Sequence, residues 1–343
     1  MSRTFGLASF RNQPLAFAVL LIGLALTSGA FVLLQARERQ AARLSFERRA
    51  ARTVVSFRAS LERPLEVLRT LPALFEASED VTRFEFRTFV RPALSRHPDI
   101  MALGWMPRVT AGARMAFEDA ARRDGLPNFE ITELRGADWV RAADRPEYYP
   151  IFYVEPDFPR FIGFDEASEA GRAEALARAR DGGEPAASRR IVLLGDRSDV
   201  AGIIVFVPIY ARGVVPSDET ARRQLLRGFV VEVFRFPSVF EGLKKLEDLR
   251  GLELELFDVT EPGHKEPLYG FRGPGEPARR NELVSTDATL PFAGRSWLLA
   301  IRGPAPVAAT PWVVLGVGVL ASALAAAGTG ALATLLRLRR RMQ

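Results

Sequence analysis

The stretch Gly202-Ile-Ile-Val-Phe-Val-Pro-Ile-Tyr210 decides the fold, because a run this rich in β-branched and aromatic residues is typical of a strand buried in a sheet. A second run of the same kind, Leu226-Arg-Gly-Phe-Val-Val-Glu-Val-Phe234, follows after the polar segment 212–222, which is predicted to be a loop. The spacing of the two runs is compatible with antiparallel pairing. Both runs are therefore predicted to be strands.

Further strands and helices are predicted on both sides of this pair. Strands are expected at 99–109, 129–134, 148–154, 191–194, 252–257, 283–292 and 297–301, with a short one near Tyr269, and helices at 110–124, 168–180 and 237–249. The segment 261–276 is rich in Gly and Pro and is predicted to be mostly loop. The chain has neither a Gly-rich phosphate loop nor a regular alternation of strand and helix. The expected fold class is therefore α+β rather than a doubly wound parallel sheet.

The composition restricts the chemistry that the chain can perform. Its 343 residues allow two or three domains, and 48% hydrophobic with 26% charged residues is ordinary for a folded protein. The net charge of +6 is not concentrated in a basic stripe, so nucleic acid is not an expected partner. The absence of cysteine excludes disulfides and thiol nucleophiles, and only His97 and His264 are available for zinc sites or histidine-based triads.

Two uncharged runs, 15–34 and 312–336, are long enough to cross a bilayer. At 1.5 Å per residue, 20 helical residues span the roughly 30 Å hydrocarbon core. A cleaved signal peptide is the alternative for the first run, but its apolar part exceeds the usual length of about 7 to 15 residues and lacks a small-residue cleavage pattern. In the second run, Gly328 and Gly330 would allow close helix packing; a helix without a specific partner is the alternative.

The basic residues of the two tails predict the topology. Arg3 and Arg11 lie in the segment 1–14, and Arg337, Arg339, Arg340 and Arg341 lie in the segment 337–343. Because short cytoplasmic segments carry an excess of Lys and Arg, both termini are expected in the cytoplasm. The region between the spans is then expected in the periplasm, with the chain held in the bacterial inner membrane.

Residues 35–79 are predicted to form a stalk, most of it one long helix. Its apolar residues are spaced three and four apart, as at the a and d positions of a heptad. These heptad residues are Ala50, Val54, Phe57, Leu61, Leu68, Leu71 and Phe75. Pro64 interrupts the pattern, so a kink is expected there. Two interpretations stay open: a helix that pairs with another subunit, and an amphipathic helix that packs on its own domain.

Five sequence motifs, taken together in their order and spacing, resemble the CHASE domain, the extracytoplasmic ligand-sensing module of plant cytokinin receptors and many bacterial membrane sensors. The motifs are Trp105–Val109, Tyr148–Pro156, Gly163–Asp165, Arg172–Asp181 with Gly183–Pro185, and Val207–Tyr210 with Leu226–Arg235. The resemblance covers roughly residues 80–245. It implies a stalk helix and two PAS-like subdomains between two transmembrane helices, a membrane-distal one at 80–235 and a membrane-proximal one at 236–302.

The resemblance also implies a ligand site against the sheet of the distal unit, since the plant receptors bind their ligand there. The equivalent residues in this chain are Tyr149, Phe152, Phe164, Ser188, Arg189, Val205 and Phe206. Ser188 lies where the plant proteins carry a pocket threonine. Arg189-Arg190 replaces a small residue followed by proline, which argues against an adenine-like ligand and favours an anion. The purine-binding carboxylate of the plant receptors has only loose counterparts, Asp144 or Glu147.

Each of these residues has a structural alternative. Aromatic residues on a strand more often belong to the core than to a ligand site. Asp165 is a candidate cap for the helix that follows it, and Arg189 and Arg190 are candidates for solvated surface residues.

The expected function is that of a membrane-anchored sensor. A ligand would stabilise one packing of the distal sheet against the stalk, and the proximal unit would pass the change through the connector 302–311 to the second span. The expected partners are an unidentified small molecule, the membrane, a second copy of the chain through the stalk helix, and a histidine kinase or diguanylate cyclase as output. No cofactor and no catalytic residues are expected.

The sequence leaves other functional readings open. One alternative is a membrane-tethered scaffold that binds another protein, and a third is an exported hydrolase that uses two carboxylates. The chain ends seven residues after the second span. We expect either the sensor part of a longer receptor or a separate subunit that acts through partners.

Overall fold

The computed structural model describes residues 14–192, 201–243, 249–273, 283–304 and 309–343. Within these ranges the helices are α1 (Pro14–Ala77), α2 (Arg83–Arg96), α3 (Arg114–Arg123), α4 (Ala170–Gly182), α5 (Glu219–Leu225), α6 (Phe236–Leu243) and α7 (Thr310–Met342). The strands are β1 (Ile100–Pro107), β2 (Val109–Thr110), β3 (Thr132–Arg135), β4 (Asp138–Arg141), β5 (Glu147–Tyr148), β6 (Tyr153–Glu155), β7 (Ala186–Ala187), β8 (Ile191–Val192), β9 (Ala201–Tyr210), β10 (Leu226–Arg235), β11 (Glu253–Asp258), β12 (Glu266–Arg272), β13 (Leu283–Phe292) and β14 (Arg295–Pro304). Short 3₁₀ turns occur at Ala111–Ala113, Pro159–Phe161 and Glu166–Ser168.

The larger sheet has six antiparallel strands in the order β6-β1-β10-β9-β7, and β8 also pairs with β9. Its centre is formed by β9 and β10, where Val205 lies opposite Glu232. On the other side of β10, Glu232 lies opposite Leu103 of β1. Strand β9 is buried along almost its whole length, which explains its continuous apolar sequence. Both strands predicted at 202–210 and 226–234 are therefore present, and they pair with each other.

The smaller sheet has four strands in the order β12-β11-β14-β13. Strand β11 alternates between half-buried and buried residues, and Leu254 and Leu256 face the core. Helix α6 packs on this sheet, with the rings of Phe240 and Tyr269 4.9 Å apart. The segment predicted as mostly loop at 261–276 thus contains the seven-residue strand β12 in its described part. The fold is α+β with a long N-terminal helix and two PAS-like sheets, as predicted.

Among the described residues, the chain divides into two compact units. One contains residues 14–48, 283–284, 304 and 309–343, and the other contains the described residues of 49–273 and 285–303. Helix α1 contributes to both. The first unit brings together two helices that are long and apolar enough to cross a membrane, α1 and α7. In this unit the rings of Phe31 and Trp312 lie 5.1 Å apart.

Small residues allow the backbones of these two helices to approach closely. A Cβ at Gly23 would lie 2.5 Å from the Ser322 hydroxyl oxygen, and one at Gly318 would lie 2.4 Å from Thr27. Gly328, by contrast, has open space around it. The closest approaches are therefore at Gly23 and Gly318, whereas of the two glycines predicted to allow close packing, Gly328 is exposed and Gly330 is buried.

The stalk is part of α1, which runs without a helix break through Pro64. Of its heptad residues, all are buried except the half-buried Val54. The rings of Phe57 and Phe240 lie 5.1 Å apart, and those of Phe75 and Trp105 lie 4.3 Å apart. The heptad residues therefore pack on the chain's own domain, which is the second of the two interpretations offered by the sequence.

Two predicted elements differ from the structure. The strand predicted at 148–154 is divided into β5 and β6, which belong to different sheets, because Pro150 between them has no N–H to donate to a ladder. The loop predicted at 212–222 contains the start of α5. There the side chain of Asp218 accepts a hydrogen bond from the Ala221 amide at 2.9 Å and caps the helix.

Several predicted features lie outside the described residues. These are the N-terminal tail with Arg3 and Arg11, the end of the strand at 191–194, most of the second half of the helix at 237–249, the end of the loop at 261–276, and the part of the connector at 305–308.

Candidate functional site

One face of the six-stranded sheet carries an aromatic core cluster. Phe206 of β9 and Phe229 of β10 point to this face and lie 6.3 Å apart, and Tyr149 packs edge-on against Phe229 at 5.1 Å. Phe164 belongs to the same cluster, together with the buried side of α4 around Leu176. This face of the sheet is therefore closed by α4 and by the segments that precede it.

A small cavity of about 80 Å³ lies in this region, at the edge of the cluster. It is lined by Met101, Ala102, Ile151, Val154, Phe158, Phe161, Glu166, Arg172, Ile191, Val192, Ile204 and Val233. At about 30 Å³ per water molecule, the cavity has space for two or three waters or for a compact group of a few atoms. Pockets for drug-sized ligands are several times larger, at about 300–1,000 Å³. In its present form the cavity suits a small and largely apolar ligand.

The charged part of the cavity wall is an ion pair between Glu166 and Arg172. The guanidinium of Arg172 donates a hydrogen bond to Glu166 Oε2 at 2.7 Å, and it lies 5.3 Å from the centre of the Phe164 ring. Glu166 is 4% exposed. Burial raises the pKa of Glu166, and Arg172 opposes that rise. The charges of Glu166 and Arg172 therefore cancel, although either group alone would be an unpaired buried charge.

Asp165 fixes the segment that leads to this ion pair. Its Oδ1 accepts hydrogen bonds from the amides of Tyr149 at 2.8 Å and Ala167 at 3.2 Å, and its Oδ2 accepts one from Arg145 at 2.6 Å. Asp165 is completely buried. It caps a helical turn as predicted, but the turn is the short 3₁₀ segment Glu166–Ser168 rather than α4 itself. This cap places Glu166 against the cavity.

The opposite end of α4 is held by a second charged network. The hydroxyl of Tyr149 donates to Glu147 at 2.8 Å, and Glu147 also accepts from Arg108 at 2.7 Å. Burial, with the nearby Glu147, raises the pKa of Tyr149, so this phenol stays protonated and acts as a donor. Arg223 and Arg180 hold the pKa of Asp181 well below its usual range. These contacts leave Glu147 engaged by the protein itself.

The residues predicted to contact a ligand lie in different places. Tyr149, Phe164 and Phe206 come together in the core cluster. Val205 faces the other side of the sheet, because successive residues of β9 alternate. Phe152 packs with Phe117 and Phe129, at ring distances of 5.2 and 5.8 Å, in a separate cluster.

Ser188 and Arg189 are occupied by other contacts. The hydroxyl of Ser188 donates to the carbonyl of Arg189 at 2.8 Å and accepts from the Ile204 amide at 3.0 Å. Arg189 makes ion pairs with Glu174, at 3.1 Å, and with Glu261. None of the seven predicted residues lines the cavity; Tyr149, Phe164 and Phe206 lie in the same cluster as Ile151 and Ile204, which do.

The sequence contained a usable indication for part of the missed wall. Successive residues of a strand face opposite sides of the sheet, so Ile204 and Val205 face opposite sides, as do Val233 and Glu232. Once one residue of a pair is assigned to a face, the other is assigned to the opposite face. Arg172 lies in a motif that the family resemblance includes. Phe158 and Phe161 follow a segment rich in proline and lie in no regular element except a short 3₁₀ turn, so no periodicity marks them.

One protein-family model matches this chain. The family model of the CHASE domain matches residues 79–269, more than half of the chain. Among solved structures, the ligand-binding domain of the amino acid chemoreceptor PctC of Pseudomonas aeruginosa PAO1, in complex with GABA, is similar at 9% sequence identity and a TM-score of 0.41. That match covers 77% of this chain and 96% of the other. No curated protein matches this chain.

Proposed function

This chain belongs to the CHASE-domain family of extracytoplasmic ligand sensors, and we propose that it binds a small molecule in the cavity on the sheet and transmits the change across the membrane. The observation that supports the proposal is the cavity of about 80 Å³ with its buried ion pair. Stability alone does not require this ion pair, since a buried ion pair is often no more stabilising than apolar side chains of similar volume.

The proposed ligand site has the cavity as its centre and the core cluster as its outer wall. Tyr149, Phe164 and Phe206 would be reached by a ligand only if it displaced some of the side chains that now fill the cluster. Ser188, Val205 and Phe152 would act indirectly. Arg189 would lie outside the site, because its charge is matched by Glu174 and Glu261.

Helix α4 is the element that would carry the response away from the cavity. Its first turn holds Arg172, and further along the helix Arg178 donates to the carbonyl of Gly294, in the turn between β13 and β14, at 3.2 Å. In the same turn, the carbonyl of Ala293 accepts a hydrogen bond from the amide of Ala187 at 2.8 Å. A shift of α4 would therefore act on the hairpin whose second strand, β14, precedes α7 in the chain.

The remaining parts of the scheme are also proposals. Residues 80–235 would form the membrane-distal unit and residues 236–302 the membrane-proximal one, in the periplasm, with both termini in the cytoplasm. A homodimer would use faces of the stalk other than the heptad residues, since those are buried within the chain. A histidine kinase or diguanylate cyclase would receive the output.

The test is a thermal-shift screen of small molecules on the full chain in lipid nanodiscs, repeated with two variants. A bound ligand raises the melting temperature by mass action. The substitution Ala102→Leu adds three carbon atoms to the cavity wall and should abolish the shift. The substitution Arg189→Gln removes the charge of a residue that the sequence predicts at the ligand site, without touching the cavity lining, and should leave the shift unchanged.

The two variants separate the alternatives. Loss of binding with Arg189→Gln, together with full binding by Ala102→Leu, would place the site at Arg189 and reject the cavity. The absence of a shift with every compound, combined with capture of a defined protein partner, would favour the scaffold instead.

A further inference from the structure

The face of the six-stranded sheet opposite the cavity contains a buried carboxyl group that has no hydrogen-bond partner among the described residues. Four residues form one row across this face, one from each of four neighbouring strands: Glu155, Leu103, Glu232 and Val205. Glu232, in the middle of the row on β10, has 0% of its surface exposed. Both of its carboxyl oxygens lack a hydrogen-bond partner in the described part of the chain.

This face is covered by the stalk and by α2. Trp105 and Tyr153 lie on the same face, two residues away from this row along their strands. The ring of Phe75 of α1 packs on Trp105, and the ring of Phe86 of α2 lies 5.9 Å from that of Tyr153. The side chains that these helices bury are almost entirely apolar. From α1 they include Phe57, Leu61, Leu65, Leu68 and Leu71, and from α2 Phe86 and Val90. Glu232 therefore lies in an apolar layer between the sheet and the stalk.

The charged groups around Glu232 do not neutralise it. In the same row, Glu155 is already paired with Arg87 of α2. In the turn before β1, Asp99 is near enough to repel a negative charge on Glu232. Arg63 of α1, with Arg96 and His97 at the end of α2, lines the groove beside Asp99. None of these groups donates a hydrogen bond to Glu232.

An ionised carboxylate in this position would be costly, because removing an unpaired charge from water is among the most unfavourable steps in folding. Burial, and to a smaller extent Asp99, raises the pKa of Glu232 well above its usual value. The packed state of the stalk on the sheet is therefore the state in which Glu232 carries its proton. Ionisation favours any state that admits water to this layer.

We propose that the protonation of Glu232 controls how tightly the stalk packs on the sheet, so that the protein responds to extracytoplasmic pH as well as to a ligand. This function uses the face of the sheet that the cavity does not use, and it does not depend on the ligand proposal. Its two states are a protonated, packed layer and an ionised, hydrated one. Both α1 and α2 would loosen together in the second state.

The direction of the pH effect follows from linkage. Above the unfolded pKa of about 4.5, the unfolded chain releases the proton of Glu232 while the packed chain keeps it. The packed state therefore loses stability as pH rises from that value to the folded pKa, and the loss stops above it. Within this window, Glu232 increases the equilibrium constant for opening by up to about tenfold per pH unit.

The experiment is hydrogen exchange of the full chain in lipid nanodiscs between pH 5 and pH 9, corrected for the intrinsic pH dependence of exchange. In the native protein, amides of α1 around 57–75 and of α2 should open more readily as pH rises. The substitution Glu232→Gln keeps the shape and removes the charge, and it should flatten this profile. The substitution Glu155→Gln, in the same row but next to Arg87, should leave the pH slope in place.

A second measurement protects the test against a variant that folds poorly. Infrared spectroscopy of the native protein at neutral pH should show the carbonyl band of a protonated carboxylic acid, which disappears in Glu232→Gln or Glu232→Leu. The proposal is rejected if native protein and Glu232→Gln have the same pH profile of exchange in α1 and α2. It is also rejected if the native protein lacks a protonated carboxyl band at neutral pH.

Discussion

Replacing both partners of the Glu166–Arg172 pair should cost the protein less stability than the sum of the two single replacements. The side chains are 5% and 11% exposed, so each charge depends on the other in place of water. The substitution Arg172→Met leaves the Glu166 carboxylate in an apolar wall, and breaking a buried pair in this way costs about 3–5 kcal/mol. The substitution Glu166→Gln leaves an amide oxygen that still accepts from Arg172, so the cost is about 1.5–3 kcal/mol.

The double variant Glu166→Gln/Arg172→Met removes both charges. Because no unpaired charge remains, its free energy of unfolding should fall by less than the sum of the two single losses, with a coupling energy of about 2 kcal/mol. Glutamine and methionine are close in volume to the residues they replace, so the wall stays filled.

The assay is chemical unfolding of the full chain in detergent, followed by tryptophan fluorescence. Trp139 reports on this region, because its ring lies 5.2 Å from that of Phe164. Two additive single losses would contradict the reasoning, since they would show that Glu166 and Arg172 each interact with water or with other groups rather than with each other. Measurement at several pH values adds a check. Since burial raises the pKa of Glu166, the native protein should lose stability as pH rises above about 4.5, and Glu166→Gln should remove that part of the loss.

Two other predictions concern the framework of the site. The substitution Gly163→Ala should destabilise the protein by about 3 kcal/mol or more in chemical unfolding, because the residue has a φ of +88° and its Cβ would lie 2.2 Å from a backbone carbonyl oxygen. The control Gly136→Ala has a φ of +67° but open space around the Cβ, so it should cost only about 1–2 kcal/mol. Equal costs would contradict the steric argument. Burial alone would raise the pKa of Glu118, but hydrogen bonds from the Ile131 amide and Arg114 hold this pKa below its usual value. The protein should therefore lose stability as pH falls below about 4.5. In an acid unfolding series, Glu118→Gln should reduce the dependence of the unfolding free energy on pH.

The sequence predicted the elements whose residues show a clear period or a strong composition. The strands at 202–210 and 226–234, the alternating strand β11 and the two apolar helices are of this kind, and all five are present. The divided strand around Pro150 shows the limit of this reasoning. Aromatic content predicts burial, but it does not say whether the backbone pairs with one sheet or with two, since that depends on partners distant in the sequence.

The candidate site was harder to predict because its wall comes from residues that share no pattern. Phe158, Phe161 and Glu166 follow one another in irregular segments. The side chain of Asp165 and several backbone hydrogen bonds tie these segments to Tyr149 and Ile151. The role of Arg189 was predicted from the family resemblance, but its ion pair with Glu261 joins residues 72 positions apart. Such contacts decide whether a charge faces a ligand, and the local sequence contains no information about them.

The two faces of the six-stranded sheet give the proposed functions a common physical basis. Ile204 and Val233 line the cavity, while Val205 and Glu232, their immediate neighbours in the chain, belong to the row beneath the stalk. A ligand that moves β9 or β10 therefore changes the layer in which Glu232 is buried. If a ligand favours the packed stalk, linkage requires that it also raises the proton affinity of Glu232, and protonation must then strengthen ligand binding by the same factor. A ligand response and a pH response carried by the same strands would thus be one equilibrium with two inputs.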